Sequence, residues 1–473
     1  MSRHTSMTPP PLNFLDPCLD PWVLRLCQGL APHWLRWRRG IPEMQVTHLS
    51  TLWQHYQQFQ AGKIRLILAF RHPSLDDAFC LMQALSHLAS AHQQRMRLHR
   101  PVHAHFVYDR GIPLWAGAWV GWLLPRLAGI PIHRGKLDRQ GLKVARQLLS
   151  EGEFPLAIAP EGTINGSSYW LNPLEPGCAQ LALWGWEDGQ ALGREVVILP
   201  LGLSYGYQRD PLPALFRLLD DLEKECGLTG DRIRDRAGEL DSKHVVVQRL
   251  RRVEDHLFQQ VSHFYHNFYA DWQADDTQPN ESGTPLPQRW QALLHHALTT
   301  LESTWNLTHQ GRLIERRHRL EQAIWDRLYQ GIPPASPLAR GLTHHLTAET
   351  RLHEWHLRWA ESAMSLQSPQ PEMSSDRLSE IALRLRDLTN RLQGKDPART
   401  PLPFLGSRWA ELYVGEPIAV SSYGSLYQRQ RRLAVEQLTQ QLQTQMEKLL
   451  PTARANWPEA DNLSAKSCLP AHP

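Results

Sequence analysis

A surplus of charge of one sign is missing from this 473-residue chain: 51 Lys and Arg stand against 47 Asp and Glu, for a formal net charge of +4. So even a balance argues against nucleic acid as a partner, because phosphate backbones are gripped by basic faces. Cysteine is scarce. Cys18, Cys27, Cys80, Cys178, Cys226 and Cys468 have neither metal nor disulfide spacing, which is the usage of a reducing compartment. No cationic-then-apolar leader opens the chain, so Asn165-Gly166-Ser167 and Asn306-Leu307-Thr308 read as chance matches to glycosylation acceptors. A clean membrane span is missing too. Leu114 to Ile132 comes nearest, with Trp115, Trp119, Trp122 and Leu123-Leu124, but Pro125, Arg126 and Pro131 interrupt it. It is expected to be a partly buried helix, with bilayer insertion the lesser alternative. His353-Glu354-Trp355-His356 sets two histidines three apart, which is not the H-E-x-x-H zinc spacing. It reads as a solvated face, and no metal site or internal repeat is expected.

What is present begins with Ile64-Arg65-Leu66-Ile67-Leu68-Ala69-Phe70, the pattern of a buried parallel strand. It leads into Arg71-His72-Pro73-Ser74-Leu75-Asp76-Asp77. Pro73 suits a first helical position, and Leu75, Phe79, Met82, Leu85 and Leu88 repeat at helical spacing. His72 therefore stands between a strand end and a helix, where open α/β sheets place ligands. With His72 outside the helix, its ring can fold back so that Asp77 accepts from one nitrogen, leaving the other free to take a proton from a hydroxyl. A lone histidine five residues from an aspartate is weak evidence for that chemistry.

Three later stretches strengthen it. Gly129-Ile130-Pro131-Ile132-His133-Arg134 is a short strand ending in a cation, and Pro155 to Thr163 is an apolar strand running into the Glu161-Gly162-Thr163 loop. Val196-Val197-Ile198-Leu199-Pro200-Leu201-Gly202 is a strand carrying a proline. In this order the four blocks resemble those of the glycerolipid acyltransferase family, the 1-acylglycerol-3-phosphate acyltransferases. The resemblance implies an α/β fold, a mostly parallel sheet flanked by helices. It also implies acyl transfer from a thioester, acyl-CoA or acyl-carrier protein, to a hydroxyl of a lysophospholipid or related glycerolipid. His72 would be the general base and Asp77 its orienting partner. Arg134, Glu161, Gly162 and Thr163 would bind the acceptor, and no cofactor beyond the co-substrate is implied. Three positions depart from the pattern. Arg71 replaces a small polar residue, Ala159 an aromatic, and Ile164-Asn165 an Arg-Ser pair. The last change removes an expected phosphate contact, which Arg134 or Arg71 would have to supply. The departures also favour an alternative, a non-catalytic lipid-binding or scaffolding protein on the same fold.

Beyond Tyr207 the texture changes to long helical patterns rich in Arg, Gln and His, up to about residue 405. Trp409 to Ile418 then resembles the strand and turn that close the family's domain, followed by an amphipathic helix from Leu433 to Leu450. The chain is accordingly expected to hold an N-terminal amphipathic segment (1–45), a first part of the catalytic domain (46–207) and a large all-α insertion (208–405). A closing strand and helix (406–455) and a disordered tail (456–473) follow. Two sequential domains are the alternative. In the first segment, Trp22, Trp34 and Trp37 are mixed with leucines and arginines. Such a helix either lies at a bilayer interface or packs on the domain with solvated arginines. A cytoplasmic protein, peripheral on a membrane surface, is expected.

Overall fold

The computed structural model describes residues 13–93, 101–133, 138–228, 242–269 with 272, 285–328, 336–395, 400–451 and 461–462. These form two compact units. The first takes Phe14–Ile132, Asp138–Arg209 and the chain from Gly406 onward; the second is mainly Asp210–Leu405.

Aliphatic runs build the first unit. Its strands are β1 (Glu43–Thr47), β2 (Ile64–Phe70), β3 (His105–Asp109), β4 (Ile130–Ile132), β5 (Leu156–Ile158), β6 (Glu195–Tyr207), β7 (Arg408–Val414), β8 (Ile418–Ala419) and β9 (Asp461–Asn462). They join one nine-stranded sheet in the order β4-β3-β5-β2-β6-β7-β1-β9, with β8 against β6. The pairs β4–β3, β3–β5, β5–β2, β2–β6 and β7–β1 are parallel, while β6–β7 is antiparallel. Helices cover both faces, which is why the strands read as nearly unbroken apolar runs. The two-residue period of β2 shows it: Leu66, Leu68 and Phe70 join the core beneath α2 (Leu49–Gln60) and α3 (Asp77–Gln93). Ile67 and Ala69 face the opposite layer, with α6 (Arg139–Glu151), α7 (Gly177–Gly189) and α14 (Arg431–Glu447).

Two local expectations are corrected. The first strand is not Ile64–Phe70 but β1, which straddles the expected boundary between the N-terminal segment (1–45) and the catalytic domain. Its five residues mix polar and apolar, and β1 owes its place to β7, with Val46 opposite Leu412. The helix after His72 begins at Asp77, not at Pro73, and Leu75 is half exposed ahead of it. The Ser74 hydroxyl accepts the Asp76 amide (3.2 Å), and the Ser74 carbonyl accepts the Asp77 amide (3.3 Å). Those local bonds compete with helix, so the first regular turn starts one residue past Asp76, whose carbonyl accepts from Cys80.

At the end of β6, Tyr207 pairs with Arg408, and the Gln208 amide donates to the Ser407 carbonyl at 2.9 Å. The chain leaves the sheet and returns to it at neighbouring points. Being seated between β6 and β1, β7 is an interior strand.

The N-terminal part is α1 (Pro21–His33), capped by Asp20 with Pro21 at its first position, then a π-turn at Trp34–Arg38. The Leu114–Ile132 stretch is two short helices, α4 (Ile112–Ala116) and α5 (Ala118–Arg126), followed by β4. Among the described residues no helix is long and apolar enough to cross a membrane.

The second unit is helical: α8 (Leu212–Glu225), α9 (Ser242–Phe268), α10 (Leu286–Thr304), α11 (Leu313–Leu328), α12 (Pro337–Met364) and α13 (Ser375–Leu392). Leu298, Leu301, Leu320, Ile324 and Leu357 form part of its core. His356, expected on a solvated face, is buried between the Tyr265 and Tyr269 hydroxyls. Burial pushes its imidazole down to about 3, so it is a neutral core histidine.

Candidate active site

The site forms where β2 ends. Arg71 lies wholly inside the protein. Its guanidinium donates to the carbonyls of Ser168 (2.8 Å), Leu203 (3.1 Å), Ser167 (3.1 Å) and Trp170. This arginine clips the strand end to the 167–170 loop and to β6. It is therefore not free to hold an acceptor phosphate, a role considered for it from the sequence.

His72 follows, with both backbone groups bonded. Its N–H donates to Glu161 Oε1 at 2.8 Å, and its carbonyl accepts the Asn165 amide at 3.1 Å. Ring nitrogen Nδ1 lies 2.8 Å from Asp77 Oδ2, and the imidazole is 25% exposed. An ionised Asp77 makes Nδ1 the donor, which leaves the Nε2 lone pair for an incoming proton. No described residue bonds Nε2.

Asp77 is fully buried. Oδ2 also accepts the Ser74 amide at 2.9 Å, and Oδ1 accepts the Tyr205 hydroxyl. Burial raises its affinity for a proton above the ordinary carboxylate value; His72, Tyr205 and Ser74 pull against that. Its place in the first turn of α3 adds the favourable end of a helix dipole.

Glu161 is equally buried, and all its described bonds are to the protein. Besides His72, Oε2 accepts from Asn165 Nδ2 (2.5 Å) and from the Asn172 amide (3.0 Å). Gly162 has φ +69°, a left-handed conformation that favours glycine, and a Cβ there would push aside the end of the Glu175 side chain. Thr163 is buried beside it. Arg134, the remaining expected acceptor contact, lies outside the described residues.

Three residues here were not singled out from sequence. Tyr205 sits inside an apolar strand, with no motif to mark it. Asn165 was passed over as a chance glycosylation acceptor, although it is 1% exposed and bonded to Glu161. Asp76 has no assigned role in the sequence reading, yet its buried carboxylate binds Arg39, Arg408 (2.8 Å) and the Ser74 hydroxyl (3.1 Å). Arg39 follows the π-turn and Arg408 opens β7. Three distant stretches thus meet on the turn between His72 and Asp77. The doubled acid was the available signal.

Residues 53–204 match the family model described as Acyltransferase. This segment is similar to that family over about a third of the chain. The match runs from α2 into β6 and contains His72, Asp77 and the Glu161–Thr163 loop, and it stops short of the helical unit. No curated protein and no solved structure matches the chain. The sheet flanked by helices agrees with the fold expected for such a domain.

Proposed function

We propose that this protein transfers a fatty acyl group from a thioester donor, acyl-CoA or acyl-carrier protein, to a hydroxyl of a lysophospholipid or related glycerolipid. One observation carries the reading: a part-exposed imidazole whose inner nitrogen is bonded to a buried carboxylate and whose outer nitrogen is available. Nε2 of His72 takes the proton of the acceptor hydroxyl as its oxygen adds to the thioester carbonyl, and Asp77 stabilises the imidazolium. The tetrahedral intermediate collapses, the C–S bond breaks, and the proton passes from His72 to the departing thiolate. No covalent enzyme intermediate is needed. Glu161, having its described bonds to the protein, serves by fixing the His72 backbone. Arg134 is assigned to the acceptor's polar group.

A membrane surface is proposed as the place of work. Trp22, Leu26 and Leu30 recur at helical spacing along α1, each more than half exposed, and Trp37 of the π-turn is 77% exposed. The Cys18 and Asp20 amides bond the carbonyls of Pro125 and Arg126, which sets this segment beside α5, where Trp119 and Trp122 are exposed. Arg25 and Arg126 lie over the rings of Trp22 and Trp122. Tryptophans with flanking arginines suit an interface with anionic lipid.

Purified protein given acyl-CoA or acyl-carrier protein over a panel of lyso-lipids tests the reaction. Acylated product from at least one acceptor is expected. Lipid binding without product from any donor would replace this reading with the non-catalytic one.

A further inference from the structure

We propose that Tyr205 is a positioning residue of the His72–Asp77 pair, holding the carboxylate ionised and turned toward the imidazole. The kinetic half of its test rests on the acyl-transfer reading above; the other half does not.

Asp77 has two oxygens, and each is fixed. His72 Nδ1 (2.8 Å) and the Ser74 amide (2.9 Å) take Oδ2, and the Tyr205 hydroxyl takes Oδ1. With donors on both oxygens the carboxylate cannot rotate away from the ring without losing a bond. The tyrosine is itself held. It is 6% exposed in β6, its amide donates to Ser168 Oγ at 2.9 Å, and Ala410 of β7 lies opposite. The Arg408 guanidinium stands 5.3 Å from its ring centre.

The electrostatics give the hydroxyl a task that packing alone does not require. A carboxylate without solvent is costly unless it is bonded. Around the Asp77–Tyr205 pair stand His72 and Ser74 of the turn, Asp76, Cys80 of α3 and Arg408 of β7. Burial and the neighbouring Asp77, Cys80 and Asp76 push the Tyr205 phenol well above its ordinary value. It therefore stays a donor across any working pH. Its bond matters most before proton uptake, when the Asp77 anion faces a neutral ring; after uptake the imidazolium compensates the charge. Removing the donor accordingly raises the pH at which the pair takes up its proton.

Tyr205→Phe keeps the ring and deletes the bond. In the full chain, kcat should fall about 10-fold with the acceptor KM unchanged, and the acid limb of kcat/KM should move up by roughly half to one pH unit. Independently of turnover, ring resonances of ¹⁵N-histidine-labelled protein, with the His72 signal identified by its loss in His72→Gln, should show the same upward move. The shift should vanish in an Asp77→Asn background. Replacing Tyr205 by 3-fluorotyrosine, a stronger donor of nearly the same shape, should move the midpoint down and covers the case in which the phenylalanine variant does not fold. An unmoved His72 midpoint in folded Tyr205→Phe, or in the fluorotyrosine protein, overturns the proposal. If the wild-type protein acylates nothing, the acyl-transfer reading fails while the resonances still decide on Tyr205.

Discussion

At the scale of the residue, the site depends on buried carboxylates that have different partners. Asp77 faces the imidazole. Asp76, one residue earlier, faces away and binds two arginines. Removing one side of a buried ion pair leaves uncompensated charge and costs about 3–5 kcal/mol. Arg39 and Arg408 keep some solvent, with side chains 36% and 25% exposed, so the lower end applies. Asp76→Ala is expected to lose about 3 kcal/mol in urea unfolding, and Asp76→Asn less, since an amide oxygen still accepts. A loss under about 1 kcal/mol for the alanine would mean that the arginines are held by other groups. The spacing of His72 and Asp77 draws attention to that pair in the sequence. Tyr205, Asn165 and Asp76 do not stand out, because each acts on a partner that only the folded sheet brings near. Arg71 shows the reverse error: a cation beside the histidine suggests a phosphate ligand, whereas four main-chain carbonyls claim it.

At the scale of the element, long apolar strands announce themselves and short mixed ones do not. β2, β5 and β6 are readable because both faces of the sheet are covered. β1 is not, since half its pattern is polar and its partner lies at the far end of the chain. The start of α3 was misplaced because helical periodicity cannot see the Ser74 side chain competing for backbone donors. The N-terminal element raises its own prediction. Trp22→Ala with Trp37→Ala removes two exposed rings, so binding to vesicles containing anionic lipid should fall several-fold in co-sedimentation while the melting temperature stays within a degree or two. Unchanged vesicle binding would move the lipid contact elsewhere.

At the scale of the whole molecule, the sheet is completed by a strand that arrives after the helical unit. β7 lies between β6 and β1, so a 1–206 fragment lacks an interior strand and leaves the edge of β6 unpaired. Such an edge aggregates, and the fragment should be insoluble. Joining 209 to 406 through a short linker should be tolerated much better, because Gln208 and Ser407 already bond. Soluble, active 1–206 would contradict this. The α/β class was legible from strand–helix alternation in the first 207 residues. The role of the helical unit was not, and the acyltransferase match ends at residue 204 without reaching it.

The central claim is that His72 moves the proton in acyl transfer, and one comparison meets it most directly. Wild-type protein and His72→Ala are assayed side by side for acylation of the best lyso-lipid acceptor, with circular dichroism and melting temperature recorded for both. Loss of a general base is expected to lower the rate by roughly 100- to 10,000-fold with the fold unchanged, since the ring is part-exposed and its backbone bonds to Glu161 and Asn165 survive the substitution. Near wild-type turnover in a folded His72→Ala protein would contradict the account.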